Sequence, residues 1–136
     1  MLPDIWGPTV WKSMHMIAAA YPEKPTRSDA MHYKSYFSSI GFVLPCLTCA
    51  RSYRLFLKRH PLDKFLASKK SLMYWVYLMH NRVNRKLKKR VKISWNTICR
   101  RYAILAYLPY NPPKTYCQNK LSKKIKQKSK ENEDTD

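Results

Sequence analysis

The sequence predicts an all-α fold, a bundle of about five helices, on three observations. Apolar residues recur at helical spacing in five successive segments. No stretch alternates apolar and polar residues long enough to compete as a strand, and prolines punctuate the joins between segments. At 136 residues, with four Trp and ten Tyr, the chain is the size of one helical domain and carries enough apolar bulk for a single core.

Each element has its own signals. Trp11, Met14, His15 and Ala18 stand at i, i+3, i+4 and i+7, which predicts a first helix from Pro8, a favourable first-turn residue, to about Tyr21. Pro22 and Pro25 make the turn. Thr26 with Asp29 three residues on resembles a capping box, and Ala30, Tyr33, Phe37 and Ile40 trace a second helix ending near Gly41. After Pro45 a third helix starts with Cys46 in its first turn and continues through Tyr53, Phe56 and Leu57 until His60-Pro61 stops it. Leu72, Trp75, Val76, Met79, Val83 and Leu87 give the stripe of a longer fourth helix, and Ser94 caps a fifth through Ile98, Tyr102 and Leu105 to about Leu108. Pro109, Pro112 and Pro113 close the folded region, so residues 1–110 are read as one domain and 111–136 as a basic, flexible tail. The Lys, Ser and Gln tract from Gln118 to Lys130 has the composition of disorder.

Composition excludes several function classes. Gly7 and Gly41 are the only glycines, so neither a dinucleotide-binding glycine loop nor a P-loop can be written, and any cofactor is held by side chains. The formal charge of +19 is uneven, because Glu131, Glu133, Asp134 and Asp136 hold half of the eight acids. Such a field favours phosphates, anionic membranes or acidic proteins, and speaks to association rather than to activity. The N-terminus lacks the basic and apolar regions of a signal peptide, and no run of about 18 apolar residues occurs, which predicts a soluble protein made in the cytosol without a transmembrane segment. Four cysteines in that setting suggest reduced or metal-bound thiols, since cytosolic disulfides are usually catalytic or transient.

Three constellations carry chemistry. Cys46-Leu47-Thr48-Cys49 sets two thiols one helical turn apart at a helix N-terminus, where a thiolate is stabilised, as thiol exchange requires. The motif alone leaves half of a zinc site or two inert thiols open. Zinc is disfavoured because Cys99 and Cys117 form no second pair of that spacing and His60 and His80 lack the usual histidine spacing. A thioredoxin-like context fails for want of a βαβ pattern. The second constellation, His80 to Lys89, sets His80, Asn81 and Asn84 into an otherwise apolar stripe; buried without partners, each would cost about 1–3 kcal/mol. A planar, hydrogen-bonding ligand would satisfy them, with Lys86 and Lys89 in reach of phosphates; a satisfied core histidine beside a solvated basic face is the blander reading. The third, Trp6 to His15, puts Trp11 and His15 on one face, which alone means core packing more often than a cofactor wall.

Taken together and in this order, W-x-x-x-H, C-x-x-C and H-N-x-V-N-x-x-L-x-K resemble the Erv/ALR family of FAD-dependent sulfhydryl oxidases, over about Trp6 to Tyr102. The Trp-Gly-Pro start and short loops look like the compact members encoded by large DNA viruses. The resemblance implies a four-helix bundle with a short fifth helix, FAD held non-covalently at its mouth, and a homodimer. By motif position it implies that Trp11 and His15 line the flavin and adenine side, that His80, Asn81, Asn84, Lys86 and Lys89 hold the nucleotide, that Val83 packs on the ring system, and that Tyr102 contacts it from the last helix. Cys49 is then the cysteine beside the flavin and Cys46 the one that exchanges with a protein thiol, with O2 reduced to hydrogen peroxide. No metal is implied. A viral member would act in the host cytoplasm or the virion. The rival from another class is a non-enzymatic basic helical module binding nucleic acid or protein, with structural or zinc-bound cysteines.

The chain also departs from the family pattern. Cellular relatives usually staple the fourth helix to the segment beyond its lysine with a disulfide, and Tyr77 and Ser94 stand at the corresponding positions here. No second shuttling cysteine pair exists, so substrate is expected to meet Cys46 directly, with Cys117 as a lesser candidate for a lone shuttle. Cys99 reads as a buried thiol, less readily as a partner of Cys117. The basic tail is read as solvated, or as a tether to nucleic acid or an acidic protein.

Overall fold

The computed structural model describes residues 1–90 and 92–103. Among them the regular elements are all helical: α1 (Pro3–Ala19), α2 (Arg27–Val43), α3 (Leu47–Arg59), α4 (Lys69–Lys86) and a short α5 (Trp95–Ile98), with a 3-10 turn at Leu62–Phe65 and a π-helical turn at Cys99–Ala103 after α5. Helix α1 begins at Pro3 rather than at Pro8. Pro3 occupies the first-turn position where a missing N–H is harmless, and Pro8 is accommodated inside the helix. Helix α2 opens on the predicted box: Thr26 Oγ1 accepts from the Asp29 amide at 3.1 Å and the Thr26 amide donates to Asp29 Oδ2 at 2.8 Å. Hydrogen bonds from Thr26 hold the Asp29 carboxyl below its ordinary range.

Helix α2 runs two residues past Gly41, whose service is close approach rather than termination. A Cβ there would lie 2.9 Å from Arg54 Cγ and 3.0 Å from Tyr53 Cδ1, so the missing side chain lets α3 lie close against α2. Ser94 caps α5 as expected, its hydroxyl accepting from the Thr97 amide at 3.1 Å. Only four residues of α5 are α-helical before the π turn; the predicted stretch from Ile104 to Leu108 and the tail lie outside the described residues.

Helix α1 packs along α4 and α2 along α3, with the π turn folded back onto α1. Trp75 sits at the centre, its indole N–H donating to the His60 carbonyl at 2.9 Å, with Phe37 and Phe56 edge-on at 5.6 Å. Two buried phenols find carbonyl partners, Tyr21 with Leu66 at 2.8 Å and Tyr53 with Phe37 at 2.7 Å, and burial pushes the Tyr53 phenol well up. Among the described residues no helix is long and apolar enough to cross a membrane.

Candidate active site

Extended backbone at Leu44 and a bend at Pro45 deliver Cys46 to the N-cap of α3. Cys46 is bonded to Cys49 one turn on, with 5.2 Å between their Cα atoms. Cys46 Sγ also accepts from the Cys49 amide at 3.3 Å and lies 3.3 Å from Thr48 Oγ1. When the bond is reduced, the same amide, the Thr48 hydroxyl and the positive end of α3 all favour a thiolate on Cys46. Both sulfurs are half-buried, while Leu47 between them is 81% exposed. The bond engages both thiols with each other, and among the described residues no three of His, Cys, Asp and Glu gather to hold a metal.

Across from this pair, the two histidine motifs converge. Trp11 of α1 stacks face to face on His80 of α4, centroids 4.1 Å apart and planes 3° from parallel. His80 Nδ1 lies 2.9 Å from His15 Nε2, and His15 in turn stacks on Tyr102 at 4.9 Å. That bond requires at least one of the two rings to be neutral, with an unprotonated nitrogen as acceptor. Burial, reinforced by the Arg101 charge, lowers the His15 pKa to about 4. Burial, then His15 and Lys89, lower that of His80 to about 3, so both rings are neutral at pH 7. Four rings from three elements thus form one ladder.

Between ladder and disulfide opens a cleft of about 1150 Å³, above the roughly 300–1,000 Å³ typical for a drug-sized ligand. Trp11, His80, Val83, Asn84 and Tyr102 line it together with Cys46 and Cys49. Asn84 is 8% exposed, makes no side-chain hydrogen bond among the described residues, and borders the cleft, so its amide is open to a ligand there. The mouth is cationic: Lys12, Arg82, Arg85, Lys86, Lys89 and Arg101 contribute to the lining, against Asp4 as the one acid. Lys86 Nζ donates to Ser52 Oγ, tying α4 to α3 across the cleft, and Lys89 stands 3.8 Å from Asp4. Helix α4 ends with the Lys88 amide on the Arg85 carbonyl and the Lys89 amide on that of Asn84, and Lys88 takes a left-handed φ of 52°. That turn aims Lys89 back at the cleft.

The structure therefore brings Trp11, Cys46, Cys49, His80, Val83, Asn84, Lys86, Lys89 and Tyr102 around one space. It sets two of the expected cofactor residues behind it. His15 supports the ladder from the core, 2% exposed. Asn81 lies outside the cleft lining, its amide committed to the loop after α4: Nδ2 donates to the Ile93 carbonyl at 2.9 Å and Oδ1 accepts from the Ile93 amide at 3.0 Å. Sequence reasoning missed Ser52 and Arg101. Ser52 stands one turn from Cys49 on α3 and Arg101 beside Tyr102, a spacing signal too common to single out either.

A sequence model of the Erv1 / Alr family matches residues 8–103. The chain belongs to the Erv1 / Alr family. It is 39% identical over 85 residues to a probable FAD-linked sulfhydryl oxidase of Acanthamoeba polyphaga mimivirus, covering 62% of this chain and 59% of that one, less than two thirds of the relative's length. It is 31% identical over 97 residues to an FAD-linked sulfhydryl oxidase of African swine fever virus, covering 67% and 74%. The fold resembles the crystal structure of the FAD binding domain of Erv1 from Saccharomyces cerevisiae, with TM-score 0.71 and 27% identity over 76% of this chain and 96% of that one. Tyr77, one of the two positions at which the sequence lacks the expected staple, packs edge-on against Trp95 at 5.5 Å, with Tyr74 at 5.3 Å from the same indole. That aromatic cluster and the Asn81–Ile93 clamp tie α5 and its loop to α4 without a covalent bond. Cys99 keeps a free, half-buried thiol on the π turn; Cys117 lies outside the described residues.

Proposed function

We propose that the chain is an FAD-linked sulfhydryl oxidase that forms disulfides in protein substrates, with the overall balance 2 R–SH + O2 → R–S–S–R + H2O2. The observation that carries this is a bonded Cys46–Cys49 pair facing an aromatic ladder across a cleft with a cationic mouth. The viral relatives named for the same activity support it.

The residues fit FAD. Trp11, Val83 and Tyr102 offer apolar faces to flat rings, Asn84 an uncommitted amide, and Lys86 with Lys89 the charge for a pyrophosphate. Bound FAD supplies the two-electron route from the dithiol to O2. The chain's own work is thiol exchange and placement. A substrate thiolate attacks Cys46, forming a mixed disulfide and releasing Cys49 as thiolate; a second substrate thiol then displaces Cys46, and substrate leaves oxidised. The Cys49 amide and the Thr48 hydroxyl beside Cys46 Sγ stabilise the sulfur as it leaves. Neutral His15 and His80 hold the ladder upright without adding charge beside the ring site. Asn81 holds the Ile93 loop, and through it the π turn that carries Tyr102.

We further assign the exposed Ile5 and Met16, on one face of α1, to pairing of two copies, and residues 111–136, on charge alone, to nucleic acid or an acidic protein. The site of action is a cytoplasm or a virion. The test is purification: protein expressed in a flavin-replete host should be yellow and release about one FAD per chain on denaturation. A colourless preparation carrying zinc would overturn the assignment.

A further inference from the structure

The outer face of α3 holds a surface that the oxidase reading does not use. At about 100° per residue, Leu47, Arg51, Arg54, Leu55, Lys58 and Arg59 fall within an arc of about 140°, opposite the Tyr53 and Phe56 face that enters the core. Leu47 is 81% and Leu55 54% exposed. The end of α2 continues the surface with Phe42, 73% exposed, and Val43, 74% exposed. Arg54 joins the two helices, its guanidinium 5.2 Å over the Phe42 ring while it donates to the Gly41 carbonyl. A run of large apolar groups at such exposure beside a reactive bond marks an interaction site.

Its charge has one sign. Helix α3 contains no acid, and among the described residues none of Arg51, Arg54, Lys58 or Arg59 forms an ion pair. The four described acids are engaged elsewhere: Asp4 near Lys89, Glu23 with Lys69, Asp29 at the Thr26 cap and Asp63 with Lys34. Four unneutralised cations interleaved with exposed leucines suit a partner that carries carboxylates and apolar side chains together. A duplex would leave the leucines unused, and a second copy of this face would oppose cation to cation.

Resting on the oxidase assignment above, we infer that this face selects the substrate: it docks an acidic, apolar protein segment bearing the thiol to be oxidised and presents that thiol to Cys46. The same cations would favour the thiolate of the docked cysteine, which is the form that attacks.

The probes are two reduced dithiol peptides alike except that one flanks its cysteines with Leu, Phe and Glu and the other with Leu, Phe and Lys. With flavin-loaded full-length protein, kcat/KM by oxygen uptake should favour the acidic peptide by about tenfold or more at low salt, shrinking as salt screens the face. The double variant R51E and K58E should invert that preference while dithiothreitol turnover stays within about twofold, and Leu55→Ser should raise KM for the acidic peptide and spare dithiothreitol. Fluorescence anisotropy of the S-methylated acidic peptide reads the same docking without turnover, so an inactive enzyme that still binds the peptide through this face would sink the oxidase assignment and keep the face. Equal use of both peptides, or equal losses with peptide and dithiothreitol, overturns the inference. So does a change of oligomeric state by light scattering in the double variant, or loss of binding to a 20-base-pair DNA duplex with peptide binding unchanged.

Discussion

Asn81→Ala separates a structural from a ligand-holding role for the asparagine of the His-Asn motif. Asn81 is 9% exposed and makes two hydrogen bonds to the backbone of Ile93, at 2.9 and 3.0 Å. Truncation leaves an N–H and a carbonyl without partners, at about 1–3 kcal/mol each when fully buried. Ile93 is half-buried, so water repairs part of the loss and the total settles near 2–3 kcal/mol. For about 100 ordered residues, that lowers Tm by roughly 10–20 °C. Urea unfolding of the FAD-free protein reads it directly, because no ligand is present to confuse the two roles. Unchanged stability of the free protein together with weakened FAD binding would refute the clamp and put Asn81 in the cofactor site.

Trp11→Ala removes the ring stacked on His80 and should weaken FAD retention on dialysis by about tenfold, or about 1.4 kcal/mol, with the helical spectrum unchanged. Undiminished retention would deny it a place in the site. Acid should destabilise the free protein early: the unfolded chain binds protons at His15 and His80 from about pH 6.5, while the folded pKa values lie at about 4 and about 3. Stability is therefore full above pH 6.5 and falls as pH drops toward 4, by at most about 1.4 kcal/mol per unit per histidine. The Asp29 and Asp63 carboxyls, held below their ordinary range, titrate beneath that window. A flat unfolding midpoint between pH 7 and 5 contradicts the neutral pair. At Lys88, with φ of 52°, glycine should be tolerated or mildly stabilising, whereas valine should lower stability by more than about 1 kcal/mol in thermal unfolding; the reverse order would deny the left-handed turn.

Helix existence was legible from apolar spacing, and the capping residues Thr26 and Ser94 were legible because their hydrogen bonds are local. Boundaries were less so. Pro8 carries a start signal that Pro3 also carries, and periodicity does not choose between them. Gly41 resembles a stop from sequence, but its missing side chain answers to Tyr53 and Arg54, which only packing reveals. Of the residues lining the cleft, Trp11, His80, Asn84 and the two cysteines stand out in the sequence because their types and spacings are unusual. Spacing put Asn81 and Asn84 on one face, yet one turns to the Ile93 loop and the other to the cleft, a difference set by tertiary partners. The direct bond between His15 and His80 joins residues 65 apart and left no local trace.

Oxygen uptake by the FAD-loaded protein with dithiothreitol tests the central claim most directly. Wild type and Cys99→Ser should turn over and yield hydrogen peroxide, whereas Cys46→Ser and Cys49→Ser should fall to background with FAD still bound. Turnover that survives in Cys49→Ser would place the working dithiol elsewhere and contradict the account.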